Sequence, residues 1–210
     1  MTESMIIELR ETVKSSMSDK RSFHTLAVEN MAVRLGEIYA PDDINVLRAA
    51  ALLHDITKEL STAEHIGLCN EYAIKLTSND ILAPKTLHAR TAAEKIKRDF
   101  PNFNDQKIID AVRWHTTGRE GMSITEKLIY LADYIDDSRK FEDCVKLREF
   151  FFDFDFENSN HDEKLAHLRD TLILSYDMTI SALLDSGAPI AKDTFDARNE
   201  LVCEKLKANL

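Results

Sequence analysis

Apolar residues recur at intervals of three and four along most of the chain, the spacing that lines one face of an α-helix. This pattern predicts helices over 4–16, 20–39, 42–57, 61–73, 86–99, 104–116, 123–137, 141–151, 162–186 and 193–207. Strand-like alternation occurs only in FFDFDFE at 151–157, which reads as a loop. Several helix ends carry their own signals. Ser123 and Glu126 have the spacing of a capping box, Pro41 stops the second helix, and Gly187 with Pro189 ends the ninth. The expected fold class is therefore all-α. No repeat or low-complexity linker divides the chain, so residues 1–210 form one domain, with a core over about 18–140 and a C-terminal helical region over about 141–210.

The predicted inward faces are not purely apolar. Leu47, Ala50, Ala51, His54, Asp55 and Lys58 share one stripe, which places a His-Asp pair where core residues belong. A buried carboxylate without compensation costs several kcal/mol, so a metal ion or an ion pair must accompany it. Taken alone, this helix is better read as a core histidine beside an exposed or paired aspartate.

The arrangement recurs, and recurrence changes the reading. His24 follows the face of Ala27, Val28, Met31 and Leu35; His115 follows Ile108 and Ala111; His88 shares a face with Thr91, Ala92 and Ile96; Asp133 lies four residues beyond Ile129. Five helices thus direct imidazole or carboxylate inward. A shared buried metal centre of His24, His54, Asp55, His88, His115 and Asp133 explains this more economically than separate core histidines. His65, His161 and His167 lack such a setting and are expected at the surface.

Composition supports helices: the chain has five Gly and four Pro, with 44% hydrophobic and 30% charged residues. A formal net charge of -10 argues against non-specific binding to nucleic acid or an anionic membrane, so an anionic substrate needs a local cationic pocket. Cys69, Cys144 and Cys203 have no CxxC spacing and suggest neither a disulfide framework nor a thiolate zinc site. The N-terminal residues lack the basic head and apolar run of a signal peptide, and no long apolar run follows, which makes the cytoplasm the default expectation.

The set His24, His54-Asp55 and Asp133 resembles the signature of HD-domain metal-dependent phosphohydrolases. ALLHDITKE at 51–59, AVRWHTTGREGMSITEKLIYLADYIDDSR at 111–139 and GAPIAKDTFDARN at 187–199 are similar to the YqeK family over nearly the whole chain. LHARTAAE at 87–94 departs from that pattern, with Ala89 and Arg90 where glycine is expected after the histidine. The resemblance implies an HD-type helical bundle that hydrolyses diadenosine tetraphosphate symmetrically to two ADP, with iron bound. It further implies two metals: one held by His24, His54, Asp55 and Asp133, the other by Asp55, His88 and His115, with Asp55 bridging.

Polyphosphate hydrolysis also needs cations near the metals. Lys58 lies one turn beyond His54 and is the first candidate for phosphate contact and catalysis, joining Asp55. Arg119 is a second catalytic candidate, following a loop in which Thr116, Thr117 and Gly118 can approach a ligand. Arg21 and Arg139 complete the expected substrate contacts. Competing readings are a nucleotidase or other phosphohydrolase with the same centre, a nucleotide-binding regulator with little turnover, and a protein with purely structural histidines. The C-terminal helices fit either a cap over the cleft or a homodimer contact.

Overall fold

Side-chain caps begin most of the longer helices. Ser18, Ser61, Ser123 and Asn160 each accept the backbone N–H three residues ahead, and the last three are reciprocated by Glu64, Glu126 and Glu163 in full capping boxes. The computed structural model describes residues 1–208, and among these there are helices and turns but no strands. The expected all-α class is what is found.

The α-helices in chain order are α1 (Glu3–Ser15), α2 (Asp19–Tyr39), α3 (Ile44–Leu53), α4 (Thr62–Glu71), α5 (Ser78–Leu82), α6 (Leu87–Asp99), α7 (Gln106–Trp114), α8 (Ile124–Ile135), α9 (Glu142–Phe152), α10 (His161–Asp185) and α11 (Lys192–Ala208). Short 3-10 turns precede α3, α6 and α7, each opened by a proline at Pro41, Pro84 or Pro101. Helix α5 lies where no helix is predicted. Its five residues are too few to show a period, and Thr77 with Asp80 supplies its capping box. FFDFDFE runs off the end of α9 into turns, as expected of a loop.

Helices α2, α3, α7 and α8 pack on one another around a core that includes Val28, Leu35, Leu47, Leu53, Ile108, Leu128 and Ile129. The most extensive packing is between α2 and α3. A Cβ at Gly36 would lie 2.6 Å from the Leu47 side chain and 2.7 Å from that of Ile44, so glycine is what allows this contact. Helix α1 covers α3, α6 covers α7, and α9, α10 and α11 form a layer beside α8. The one buried acid of α2 outside the centre, Glu29, is matched by Arg10 at 2.6 Å and Arg48 at 3.0 Å, which removes the cost of burying it alone. No helix among the described residues is long and apolar enough to cross a membrane.

Candidate metal centre

Two of the inward histidines end their own helices. The prediction carried one helix through 57, but α3 stops at Leu53, and α7 stops at Trp114 rather than 116. The cause is local. His54 Nδ1 lies 2.6 Å from the Ala51 carbonyl oxygen, the acceptor that the residue 55 amide would use in a continuing helix. His115 Nδ1 takes the Val112 carbonyl at 2.7 Å in the same way. Beyond His54 the chain turns tightly through i to i−3 bonds, including Lys58 N–H to Asp55 O at 2.9 Å.

These bonds orient the rings. His88 Nδ1 lies 2.7 Å from the Lys85 carbonyl. Because a carbonyl can only accept, Nδ1 of His54, His88 and His115 carries the proton, and Nε2 is left as a lone-pair donor facing the centre. His24 Nδ1 is held by Ser138 Oγ at 3.2 Å, and its Nε2 points the same way as the others, 3.0 Å from Asp133 Oδ1.

Asp55 stands in the middle, with its two oxygens divided between two groups of histidines. Oδ2 lies 3.4 Å from His54 Nε2 and 3.8 Å from His24 Nε2; Oδ1 lies 3.3 Å from His88 Nε2 and 3.8 Å from His115 Nε2. His24, His54 and Asp133 bring ligand atoms within 4.8 Å of one another, as do His54, Asp55 and His115. His24 Nε2, His54 Nε2 and Asp55 Oδ1 are buried with no hydrogen-bond partner among the described residues. Orphaned polar atoms at the converging ends of ligand-type side chains fit bound metal, with the two histidine nitrogens on one side of Asp55 and its Oδ1 on the other. The donors are nitrogen and oxygen without sulfur, a set suited to iron, manganese, nickel or zinc.

The charges fit the same arrangement. Burial favours a neutral Asp55, but His54 and His88 outweigh it and hold the carboxyl well below its usual range. Burial acts likewise on Asp133, where Arg139, His24 and His54 keep the group ionised. Burial, with His88 and His54 nearby, pushes His115 well below the ordinary imidazole value, and burial also lowers His88. Anionic carboxylates and neutral imidazoles are the states that metal ligation requires; Asp55, Asp133, His88 and His115 are already biased toward them, whereas His24, held charged by Asp133 and Asp136, would give up its proton on ligation.

The HD domain family matches residues 21–137, more than half of the chain and the span that carries His24, His54, Asp55, His88, His115 and Asp133. The chain belongs to the HD-domain family. Among HD-domain relatives, the symmetrical bis(5'-nucleosyl)-tetraphosphatase of Halalkalibacterium halodurans is 32% identical over 197 residues, covering 93% of this chain and 96% of the relative. The Bacillus subtilis protein of the same name is 32% identical, covering 90% and 94%. A crystal structure of a predicted HD superfamily hydrolase involved in NAD metabolism, from Clostridium acetobutylicum, aligns with a TM-score of 0.81 at 31% identity, covering 94% of this chain and 96% of that one. The YqeK resemblance read from the sequence is thus matched by relatives along nearly the full length.

In this HD domain, the remaining predicted site residues fall into two groups. Four approach the cluster. Arg21 Nη1 lies 2.6 Å from Asp55 Oδ2, Arg139 grips both the carboxylate and the carbonyl of Asp133, Lys58 Nζ is 3.1 Å from His88 Nε2, and Thr116 Oγ1 is 3.2 Å from His115 Nε2. Thr117, Gly118 and Arg119 turn elsewhere. Thr117 gives its carbonyl to Thr194 on α11, and Gly118 packs against Tyr176 and Ala197. The Arg119 Nε donates to buried Glu126 at 2.7 Å. The loop leaves His115 toward the C-terminal layer, so these three residues make their contacts with α8, α10 and α11.

Two histidines expected at the surface are not there. His65 is buried where α4 packs on α6, its Nδ1 3.1 Å from Thr91 Oγ1, and Thr91 also pairs with Thr57, whose hydroxyl donates to the His88 carbonyl. The Cys69 side chain, one turn later and also buried, was the available signal. His167 is half-buried, stacked 4.2 Å from Phe154 with Nε2 3.0 Å from the Phe151 carbonyl; only His161 is exposed. Sequence reasoning also missed Asp136. Fully buried, with Oδ2 3.4 Å from His24 Nδ1, it backs the histidine from the side away from the centre. Its spacing of three from Asp133 was the signal.

Proposed function

We propose that this chain hydrolyses diadenosine tetraphosphate symmetrically to two ADP at a dinuclear metal centre. One ion would be held by His24, His54, Asp55 and Asp133 and the other by Asp55, His88 and His115. The observation that carries this reading is Asp55, whose two oxygens face different histidine groups as a bridging carboxylate must. The near-full-length relatives supply the substrate and the symmetry of cleavage. Iron follows from the YqeK resemblance, and the donor set accepts it without selecting it.

Metal ions held by these residues would supply a water of lowered pKa and polarise a phosphoryl oxygen. The chain's own residues do the rest. Arg21 and Arg139 border the centre on the His24 side and present permanent cations to the phosphates. Lys58 and Thr116 approach from the side of His88 and His115, as donors for the flanking phosphoryl oxygens. Cations on both sides of the metals centre a four-phosphate bridge, so water attacks an inner phosphorus, the bond between the two inner phosphates breaks and ADP leaves. Hydrolysis in isotopically labelled water tests this. Two ADP per substrate, with label on the terminal phosphate of one, is the expected result; ATP plus AMP as main products refutes symmetrical cleavage.

A further inference from the structure

Among the described residues, the two most exposed large apolar side chains are Phe141, 72% accessible, and Phe23, 69%. They come from different helices, yet both line one cavity of about 520 Å³, together with the ligand His24 and with Arg21 and Arg139; two lysines and a serine complete it. Phe23 precedes His24 on α2, so the turn that aims His24 at the centre swings Phe23 out toward the cavity mouth. Phe141 is the N-cap residue of α9, two positions beyond Arg139. A cavity that couples exposed aromatic faces to arginines beside a metal centre has the chemistry of a nucleotide: a planar base for the rings, phosphates for the guanidinium groups.

We propose that Phe23 and Phe141 form a base-stacking subsite at the mouth of the metal centre, which receives the purine of one nucleoside half of the substrate. The proposal rests on the polyphosphate reading of the centre and adds the residues that hold the base. Stacking uses the π-face that every base has, so the subsite recognises a base without selecting adenine over guanine. Its contacts are made equally before and during bond cleavage, so they act on KM rather than kcat.

Equilibrium binding separates this subsite from the reaction. Kd values for ADP and for inorganic pyrophosphate are measured by calorimetry on the metal-loaded wild-type protein and on Phe23→Ala, Phe141→Ala and Phe141→Tyr. The alanine variants are expected to weaken ADP roughly 5- to 150-fold, the range of one lost base–aromatic stack. Pyrophosphate binding should stay within about twofold, and Phe141→Tyr should keep ADP affinity because it keeps a π-face. Wild-type protein that binds ADP no more tightly than pyrophosphate overturns the subsite, as does equal weakening of both ligands. Unchanged ADP binding with loss of a dimer in the alanine variants would also overturn it, making the two rings a contact between copies of the chain. None of these readouts depends on which bond is cleaved, so the subsite and symmetrical hydrolysis succeed or fail separately.

Discussion

Asp136 stands directly behind His24: its Oδ2 lies 3.4 Å from His24 Nδ1, while the opposite ring edge presents Nε2 to Asp133 at 3.0 Å. The imidazole is thus held between the Asp136 and Asp133 carboxylates, with Ser138 Oγ 3.2 Å from its Nδ1. Burial disfavours a charged His24, but the two acids outweigh it and push its pKa up to about 9. A carboxylate in the outer position fixes the ring and raises the basicity of the ligating nitrogen.

Asp136→Asn keeps the shape of that support and removes its charge. Metal affinity is expected to fall about 10- to 100-fold, with the helical circular-dichroism signal unchanged. Competition against a chelator measures this; wild-type affinity in the variant would remove Asp136 from the support of the centre.

Asp55→Ala takes away the carboxylate that faces both groups of histidines. Bound metal and turnover should be lost together, since the two oxygens of Asp55 face both groups of histidines. Metal analysis of the folded variant decides this, and retention of near-wild-type metal with normal turnover would rule out a shared bridging ligand.

Arg119→Ala should change stability rather than catalysis. Its guanidinium neutralises Glu126, whose side chain is 2% exposed and closes the capping box of α8. Leaving that acid without its partner costs about 1–3 kcal/mol, and the denaturant midpoint should fall while kcat/KM stays near wild type. A normal midpoint with reduced turnover would return Arg119 to a phosphate-binding role.

Gly118→Ala probes the joint between the centre and the C-terminal layer. Gly118 has φ +64, and a Cβ there would overlap the buried Tyr176 hydroxyl. Backbone strain and overpacking together should destabilise the protein by roughly 2 kcal/mol or more. Thermal unfolding checks this, and a Tm equal to wild type would mean that the loop does not dock closely on α10.

Helical periodicity by itself determined the all-α class, most helix spans and the inward direction of His24, His54, Asp55, His88, His115 and Asp133, because an amphipathic stripe states which side of a helix is buried and a polar residue on it stands out. The helix ends at Leu53 and Trp114 were hidden, since a local imidazole-to-carbonyl bond interrupts α3 and α7 without interrupting their apolar pattern. Only the tertiary structure decided which inward faces meet. The placement of Asp55 between two histidine pairs, of Asp136 behind His24, and of His65 behind Thr91 depends on contacts between helices far apart in the chain. The contacts of Thr117, Gly118 and Arg119 were likewise set at a distance: Tyr176, Thr194 and Ala197 receive the loop on the C-terminal layer, and Glu126 receives Arg119. Periodicity fixes the side on which a helix is buried, whereas the partner on that side is chosen by close packing of the whole chain.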